Sequence, residues 1–342
     1  MAFTAKLEVA NFNCKFGQLN LMDLADDIVI PSLLGDGIRR QVRQATYVLY
    51  RTQLQRFNFG SEEVVGISGE FIKDMFIQSS QVFEEEKGLL PNDQTLHTSP
   101  SAIFTLLLDP HILLYVRKSS DAPGMTSFGN TIEKLFNDRR DRLIRSVLAG
   151  IDTFSNVPLP ARPVTAAKLR ASLPKADLTV VPLMPDASLQ DFILSLSLLT
   201  EVRYELFQTN NTTDFDTLFS ETRTVSADTN ARRAEIGLNN PEGLDKDAVA
   251  KQTQSAAAFG TSHINITGLD QNGNGVKGDT ESLRIQSRYT GPTENANDAA
   301  ASMVQQFNDL TSNGTLSPPQ TDDDARRRSW EVFEQYFNNN DD

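Results

Sequence analysis

Cysteine and histidine are scarce in this sequence. Its 342 residues include one cysteine, Cys14, and three histidines, His97, His111 and His263. A single cysteine excludes a disulfide framework within the chain and indicates a reducing compartment. A structural zinc site takes about four Cys or His ligands, so we expect no metal site of that kind. Cys14 follows an alternating segment and is predicted to be a small buried side chain.

Long apolar runs are also lacking. The longest are residues 103–108 and 112–116, which Asp109, Pro110 and His111 separate. Segments 102–108 and 111–117 are predicted to form a hairpin around Asp109 and Pro110, or one buried strand bent there. A membrane-spanning helix needs about 20 consecutive apolar residues. The first residues do not show the basic and apolar regions of a signal peptide. We therefore expect a soluble, cytoplasmic protein without a membrane partner.

The common catalytic motifs are missing as well. The sequence has no P-loop, no nucleophile elbow and no kinase signature. The nearest approach to a metal-dependent nuclease is Glu70 with Lys73, or Glu85 with Lys87. The first pair would face opposite sides of a strand, and the second lies in a charged run. We expect no catalytic residues and no cofactor, and keep a metal-dependent nuclease or nucleotide-handling enzyme as the enzymatic alternative.

One motif matches a known pattern closely. Residues 270–281 read DQNGNGVKGDTE, and the calcium-loop pattern is satisfied by Asp270, Asn272, Asn274, Gly275 and Glu281. The same stretch contains the G-x-G-x-x-G pattern of dinucleotide sites. A calcium loop requires helices on both sides, whereas apolar residues alternate on both sides here, in 264–268 and 283–289. The Asn-Gly steps therefore predict a β-hairpin turn, with a calcium site as the weaker alternative.

Charge is distributed unevenly along the chain. The formal net charge is −13. Residues 1–175 carry 20 Lys and Arg against 19 Asp and Glu, whereas residues 176–342 carry 12 against 26. Such asymmetry concerns partners and solubility rather than fold. A tight nucleic-acid contact over the whole surface is disfavoured, but the first half could make one.

Arginine dominates the cations of the first half. No acid occurs in residues 37–61, and the candidate nucleic-acid contacts are Arg39, Arg40, Arg43, Arg51, Arg56, Arg139, Arg140, Arg142 and Arg145. Arginine binds phosphate with a planar, two-pronged donor set. The glycines of residues 34–43 could also present backbone N–H groups to an anion at a helix start. The alternative is a solvated basic surface, or arginines paired with acids of the second half.

The element pattern predicts an α+β protein of two modules. Residues 1–150 form a strand-rich module with one long helix, in which 46–57 and 64–77 are strands and 88–100 is a loop. Prolines mark residues 151–176 as a hinge. Residues 177–290 alternate strands and helices, which indicates a ferredoxin-like α/β sandwich. Residues 291–342 form an acidic polar tail.

The tail ends in a short amphipathic helix, residues 325–337. Trp330, Phe333 and Phe337 share one stripe at helical spacing. An isolated helix of this length is marginal in water, so it must dock on something. The sequence leaves two alternatives open: docking onto the chain itself, and docking onto a protein partner or a second copy, for which Trp330, Phe333 and Phe337 are the candidate residues.

These observations predict a non-enzymatic binding protein. The arginine-rich first half would contact nucleic acid, and the acidic second half would contact proteins or itself, as an accessory subunit of a larger bacterial system. A purely structural, self-assembling protein is the second alternative to this interpretation, beside the nuclease.

Overall fold

The computed structural model describes residues 3–35, 38–161, 163–207, 217–229, 231–257, 260–317 and 323–338. Its strands are β1 (Lys6–Phe16), β2 (Leu19–Asn20), β3 (Ile38–Val42), β4 (Ala45–Phe59), β5 (Glu62–Glu84), β6 (Gly88–Thr98), β7 (Ser101–Leu107), β8 (Ile112–Arg117), β9 (Asp177–Pro182), β10 (Leu198–Phe207), β11 (Arg233–Asn239), β12 (Ser262–Leu269), β13 (Gly275–Asp279) and β14 (Ser287–Arg288). Its helices are α1 (Ile30–Leu33), α2 (Met125–Leu148), α3 (Ala166–Ser172), α4 (Asp186–Ser195), α5 (Thr217–Asp228), α6 (Lys246–Ala257), α7 (Ala296–Ser312) and α8 (Asp323–Asn338). The protein is thus α+β.

The larger of two antiparallel sheets has the strand order β14-β1-β8-β7-β5-β4-β3 in the described residues. Strands β2 and β9 pair with β1 outside this path, and β6 pairs with β5. Strand β9 runs along β1 from Ala10 opposite Pro182 to Lys15 opposite Asp177. The sequence assigned residues 177–182 to the second module, whereas their hydrogen bonds place them in the larger sheet. After the predicted hinge, residues 151–176, the chain therefore returns to the first module and adds a strand to its sheet.

Helix α2 covers one face of the larger sheet. Its apolar residues recur at helical spacing, and the predicted long helix is confirmed at Met125–Leu148. The ring of Phe128 contacts Phe71 of β5, Phe104 of β7 and Tyr115 of β8, with centroids 5.4, 4.8 and 5.9 Å away. Because α2 meets three neighbouring strands, it fixes the centre of the sheet.

Helix α7 covers the other face. The sequence predicted a polar tail over residues 291–342, but α7 buries one apolar side, consisting of Ala296, Ala299, Ala300, Met303, Val304 and Phe307. Phe307 stacks on Phe59 of β4 with centroids 5.2 Å apart, and Asn308 donates a hydrogen bond to the carbonyl of Asn58. The polar residues occupy the outer side of the helix, which made the segment's composition resemble a tail.

The smaller sheet has the order β11-β10-β12-β13 and is also antiparallel. Along β10, Val202, Tyr204 and Leu206 are buried, whereas Arg203 and Glu205 point to the opposite face. Helices α4, α5 and α6 supply the rest of the core on the buried face. The order of elements from β10 is β-α-β-α-β-β, which differs from the β-α-β-β-α-β order of a ferredoxin-like sandwich.

Two hairpin predictions have different outcomes. The turn at residues 109–111 joins β7 to β8 as expected. The turn near Asn274 also closes a hairpin, but its second strand is β13 rather than residues 283–289, of which Ser287 and Arg288 pair with β1 instead. The predicted strands over 46–57 and 64–77 are confirmed, within β4 and β5.

The segment predicted as a loop, residues 88–100, forms β6 over Gly88–Thr98. It pairs antiparallel with the second half of β5, from Met75 opposite Thr98 to Glu84 opposite Gly88. Pro91, Asn92 and Asp93 gave this segment the composition of a loop. In the described part of the chain, no helix is long and apolar enough to cross a membrane.

The substitution Phe307→Ala tests whether α7 belongs to the core. Phe307 is fully buried, so its truncation leaves a cavity and should cost about 3–5 kcal/mol of unfolding free energy, measured by urea denaturation. Gln305→Ala on the exposed side of α7 is the control and should change stability by less than about 0.5 kcal/mol. Equal effects of the two variants would show that α7 is not part of the cooperative core.

Candidate interaction surfaces

Three of the predicted arginines meet at one groove. Arg39 of β3 lies there with Arg142 and Arg145 of α2, in a groove of about 630 Å³. Two acids of α2, Asp138 and Asp141, line the same groove. The groove therefore carries three positive and two negative side chains, which is a modest excess of positive charge.

Two other arginines of α2 make structural bonds. Arg140 is buried and donates to the carbonyl oxygens of Leu173 at 2.7 Å, Pro174 at 3.1 Å and Arg170 at 3.3 Å. Arg139 donates to the carbonyl of Asp27 at 3.0 Å. These guanidinium groups tie α2 to the segments beside it, and the buried Arg140 is not available to a phosphate ligand.

The arginines of β3 and β4 have separate surroundings. Arg56 lies over the rings of Trp330 and Phe333, at 5.9 and 5.3 Å from their centroids. Arg51 lies over Tyr50, and Arg40 donates to the hydroxyl of Thr131 at 3.3 Å. The exposed Arg43 occupies the turn between β3 and β4 with φ of 55°. The nine arginines that the sequence predicted as nucleic-acid contacts therefore do not form one basic face.

The glycine-containing segment 34–43 also differs from its predicted form. Residues 36 and 37 lie outside the described residues, and the segment continues as the strand β3, not as a helix. A helix N-terminus that could bind an anion is therefore not formed at this position.

Helix α8 docks on its own chain. Trp330 and Phe333 pack against the core beneath α2, and Phe337 is 40% exposed. Arg326 forms ion pairs with Glu62 and with Asp109, the latter at 3.6 Å. The apolar stripe of α8, which was the candidate contact for a partner, therefore packs mainly within the molecule.

Asp109 is an acid buried in the turn before β8. It is fully buried, and burial raises its pKa from 3.8 to about 6, although Arg326 opposes the shift. The free-energy cost of burying the carboxylate is larger than the stabilisation from one ion pair at 3.6 Å. The contact with Arg326 of α8 therefore offsets only part of the cost of burying Asp109.

The calcium-loop residues form a closed turn. The Asp270 carboxylate accepts hydrogen bonds from the backbone N–H groups of Asn272 and Asn274, both at 2.8 Å. The Asn274 side chain also donates to Asp270, and Glu281 pairs with Arg284 instead of turning towards the loop. These oxygen atoms serve the hairpin turn, and the described residues contain no group of three His, Cys, Asp or Glu suited to a metal ion.

A polar cleft of about 410 Å³ lies between α2, β9 and the uncovered face of the smaller sheet. Glu205 and His263 are cross-strand neighbours there, and Arg233 pairs with Glu205 at 2.8 Å. Burial lowers the pKa of His263. The cleft presents charges of both signs that already pair with one another, which gives it no clear preference for an anion or a cation.

The candidate nuclease pair of Glu70 and Lys73 is not formed. Glu70 pairs with Lys118 at 2.9 Å instead.

The surface that sequence reasoning missed is a two-stranded arm, residues 76–97, in which β5 and β6 continue beyond the body of the larger sheet. Strand β4 pairs with β5 only as far as Met75, opposite Ala45, and β7 pairs with β5 only over residues 66–72. Beyond Met75 the described strands give β5 one neighbour, β6. The arm therefore has no sheet or helix layer around it in the described chain.

Large apolar side chains are exposed on this arm. They are Phe76 (56% exposed), Ile77 (45%), Phe83 (70%), Leu89 (66%) and Leu96 (63%). Ile77 lies opposite Leu96 and Phe83 lies opposite Leu89 across the hairpin. Ile77 and Phe83 are six residues apart on β5 and therefore share a face. Leu96 and Leu89 are seven residues apart on β6, but the register shift between Ser79 and Gln81 keeps each of them opposite its partner, so the two pairs form one apolar face. The sequence signal is the run 75–83, which has no charge, proline or glycine.

No protein-family model matches this chain, and no curated protein is significantly similar to it. Its function therefore has to be inferred from these surfaces.

The substitution Asp109→Asn tests the buried acid. The pKa of Asp109 is about 6 in the folded protein against an ordinary value of 3.8, so folding favours the protonated form. The wild type should therefore lose stability relative to the variant as the pH rises from about 4 to 6, by at most about 3 kcal/mol, because one pKa unit corresponds to about 1.4 kcal/mol. Urea denaturation of both proteins across this range measures the difference. A difference that stays constant with pH would contradict the assignment.

Proposed function

We propose that this protein is a non-enzymatic structural subunit that associates with further copies of itself through the arm. The observation that carries this proposal is the apolar face formed by Ile77, Phe83, Leu89 and Leu96 on a hairpin that no other described element covers. Assembly was the second alternative that the sequence left open, and the exposed arm favours it over the others.

The energetics of the arm support association. A two-stranded hairpin alone is marginally stable in water, and more strands or a packed layer normally stabilise it. Burying a large apolar side chain contributes roughly 1.5–3 kcal/mol. A second copy that contacted these side chains would remove part of their surface from water and add further strands to the hairpin at the same time.

The position of the exposed side chains also supports association. Among the described residues, five of the fourteen exposed large hydrophobic side chains lie within residues 76–96. Scattered exposed apolar residues are normal on soluble proteins, but a contiguous patch is typical of an interaction site. The remaining nine are spread over the rest of the described chain.

Replacement of Phe83 and Leu89 by serine should weaken self-association. The two side chains are 70% and 66% exposed, so the folded subunit loses little, whereas the apolar face of the arm loses two of its side chains. We expect the dissociation constant to rise at least about tenfold, since 1.4 kcal/mol is a factor of ten. Sedimentation equilibrium over a range of protein concentrations measures it.

Ile151→Ser is the matched control. Ile151 is 82% exposed just beyond α2, so the change removes a comparable apolar side chain outside the arm. Its association should equal that of the wild type. A wild type that stays monomeric at about 100 µM, or an Ile151→Ser variant that dissociates equally, would contradict the proposed function.

Nucleic-acid binding is the second candidate, at the groove lined by Arg39, Arg142 and Arg145. What favours it is the convergence of arginines from β3 and α2, which are far apart in sequence, on one groove. Guanidinium groups gathered in one groove could contact phosphates of a single strand.

Replacement of Arg142 and Arg145 by glutamine tests the groove. If both contact phosphates, binding should weaken and the slope of log K against log salt concentration should become shallower by about 2. Fluorescence anisotropy with a labelled oligonucleotide, over a salt series, measures both quantities. Arg327→Gln is the control, because Arg327 pairs with Asp324 and Glu331 on α8. Equal binding by all three proteins, or none by the wild type, would remove this candidate.

A further inference from the structure

The partner of the arm follows from the backbone of β5. We propose that two copies of this chain pair through the free edge of β5, antiparallel and centred on Ser80, so that the two arms form one four-stranded sheet. This inference rests on the proposed function, and it adds the strand edge, the register and the symmetry.

The free edge of β5 is the first observation. Over residues 76–84 one edge of β5 pairs with β6, and no strand among the described residues pairs with the other. An open edge of this length presents a row of backbone donors and acceptors to another chain. Natural edges are usually blunted by charge or proline, but residues 75–83 contain neither.

The outer edge of β6 is protected by comparison. It contains Pro91, which has no backbone N–H, followed within two residues by Asp93. Proline in a sheet is confined to edges that do not need its donor, and charge blunts an edge further. The edge of β5 is therefore the one that can accept a strand along its whole length.

The register follows from the apolar residues. In an antiparallel pair centred on Ser80, residue 77 of one copy lies opposite residue 83 of the other. Ile77 would meet the second copy's Phe83, on the same face that holds Leu96 and Leu89. The symmetric pairing doubles this face, from four apolar side chains to eight, on one side of the sheet. A shift by one residue would place these side chains on opposite faces.

Charge at the two ends supports the same register. The tip of the arm carries Glu85 and Glu86, both exposed. In this register residue 85 lies level with Met75 of the other copy, where β4 begins at Ala45. The exposed Arg43 occupies the turn that precedes β4. Each acidic tip would therefore abut an arginine of the other copy, and the two-fold axis produces this contact twice.

Cysteine crosslinking tests the register in the full-length chain. The native Cys14 is fully buried and burial raises its pKa, so it does not compete as a thiolate. Ser80→Cys places two thiols directly opposite each other, with Cα atoms about 4.5–5.5 Å apart, within the range of a disulfide. We expect a crosslinked dimer in non-reducing electrophoresis after mild oxidation.

Gln78→Cys is the matched control. In the proposed register residue 78 of one copy lies four residues along the strand from residue 78 of the other copy. The two are about 13 Å apart, which is too far for a disulfide. Gln78→Cys should not crosslink with itself, but should do so when mixed with Val82→Cys, its partner across the axis. Crosslinking of Gln78→Cys alone at the rate of Ser80→Cys would overturn the register.

A charge exchange gives an independent measurement. Arg43→Glu should weaken self-association in sedimentation equilibrium, and Glu85→Lys with Glu86→Lys in the same chain should restore it. The wild type could associate, and lose association when Phe83 and Leu89 are replaced, without showing either the Ser80→Cys crosslink or this rescue. In that case the register is wrong and the proposed function stands. If the wild type does not associate, both are wrong.

Discussion

The length of strand β5 is the constraint on which the rest of the structure depends. Its first part is fixed between two helix layers, with Val64, Ile67 and Phe71 fully buried. Because side chains alternate along a strand, the buried part also sets the phase of the exposed part. Ile77 must then share a face with Phe71, and Phe83 with Ile77. The core thus determines which side of the arm is apolar, and the register shift between Ser79 and Gln81 keeps Leu89 of β6 on that side.

Contacts between distant segments explain why charge counted along the sequence does not describe the surface of the molecule. Arg326 of the acidic second half pairs with Glu62 of the first half, and Arg328 pairs with Asp23 at 3.4 Å. Arginines of the first half, such as Arg140, are in turn occupied by backbone carbonyls. Charge counted over halves of a chain describes its surface only if the halves fold apart, and here β9, α7 and α8 all return to the larger sheet.

Local patterns predicted the local elements. The helical spacing of α2, the alternation in β4 and β5 and the turn at residues 109–111 are all confirmed. What failed depends on distant parts of the chain. Nothing in residues 177–182 indicates pairing with β1. The apolar residues of the arm look like core residues until the ends of β4 and β7 are known. Of the candidate site residues, Arg39, Arg142 and Arg145 could be grouped only after β3 had been placed beside α2.

A free strand edge normally threatens unlimited aggregation, and the proposed pairing explains how this chain would escape it. A two-fold pair uses the same edge of both copies, so no free β5 edge remains to recruit a third. The other edge of the four-stranded sheet is β6, with Pro91 and Asp93. The net charge of −13 opposes close approach of copies everywhere except where an acidic tip meets Arg43. Repulsion over the whole surface and attraction at one turn would together select a closed pair over a fibre.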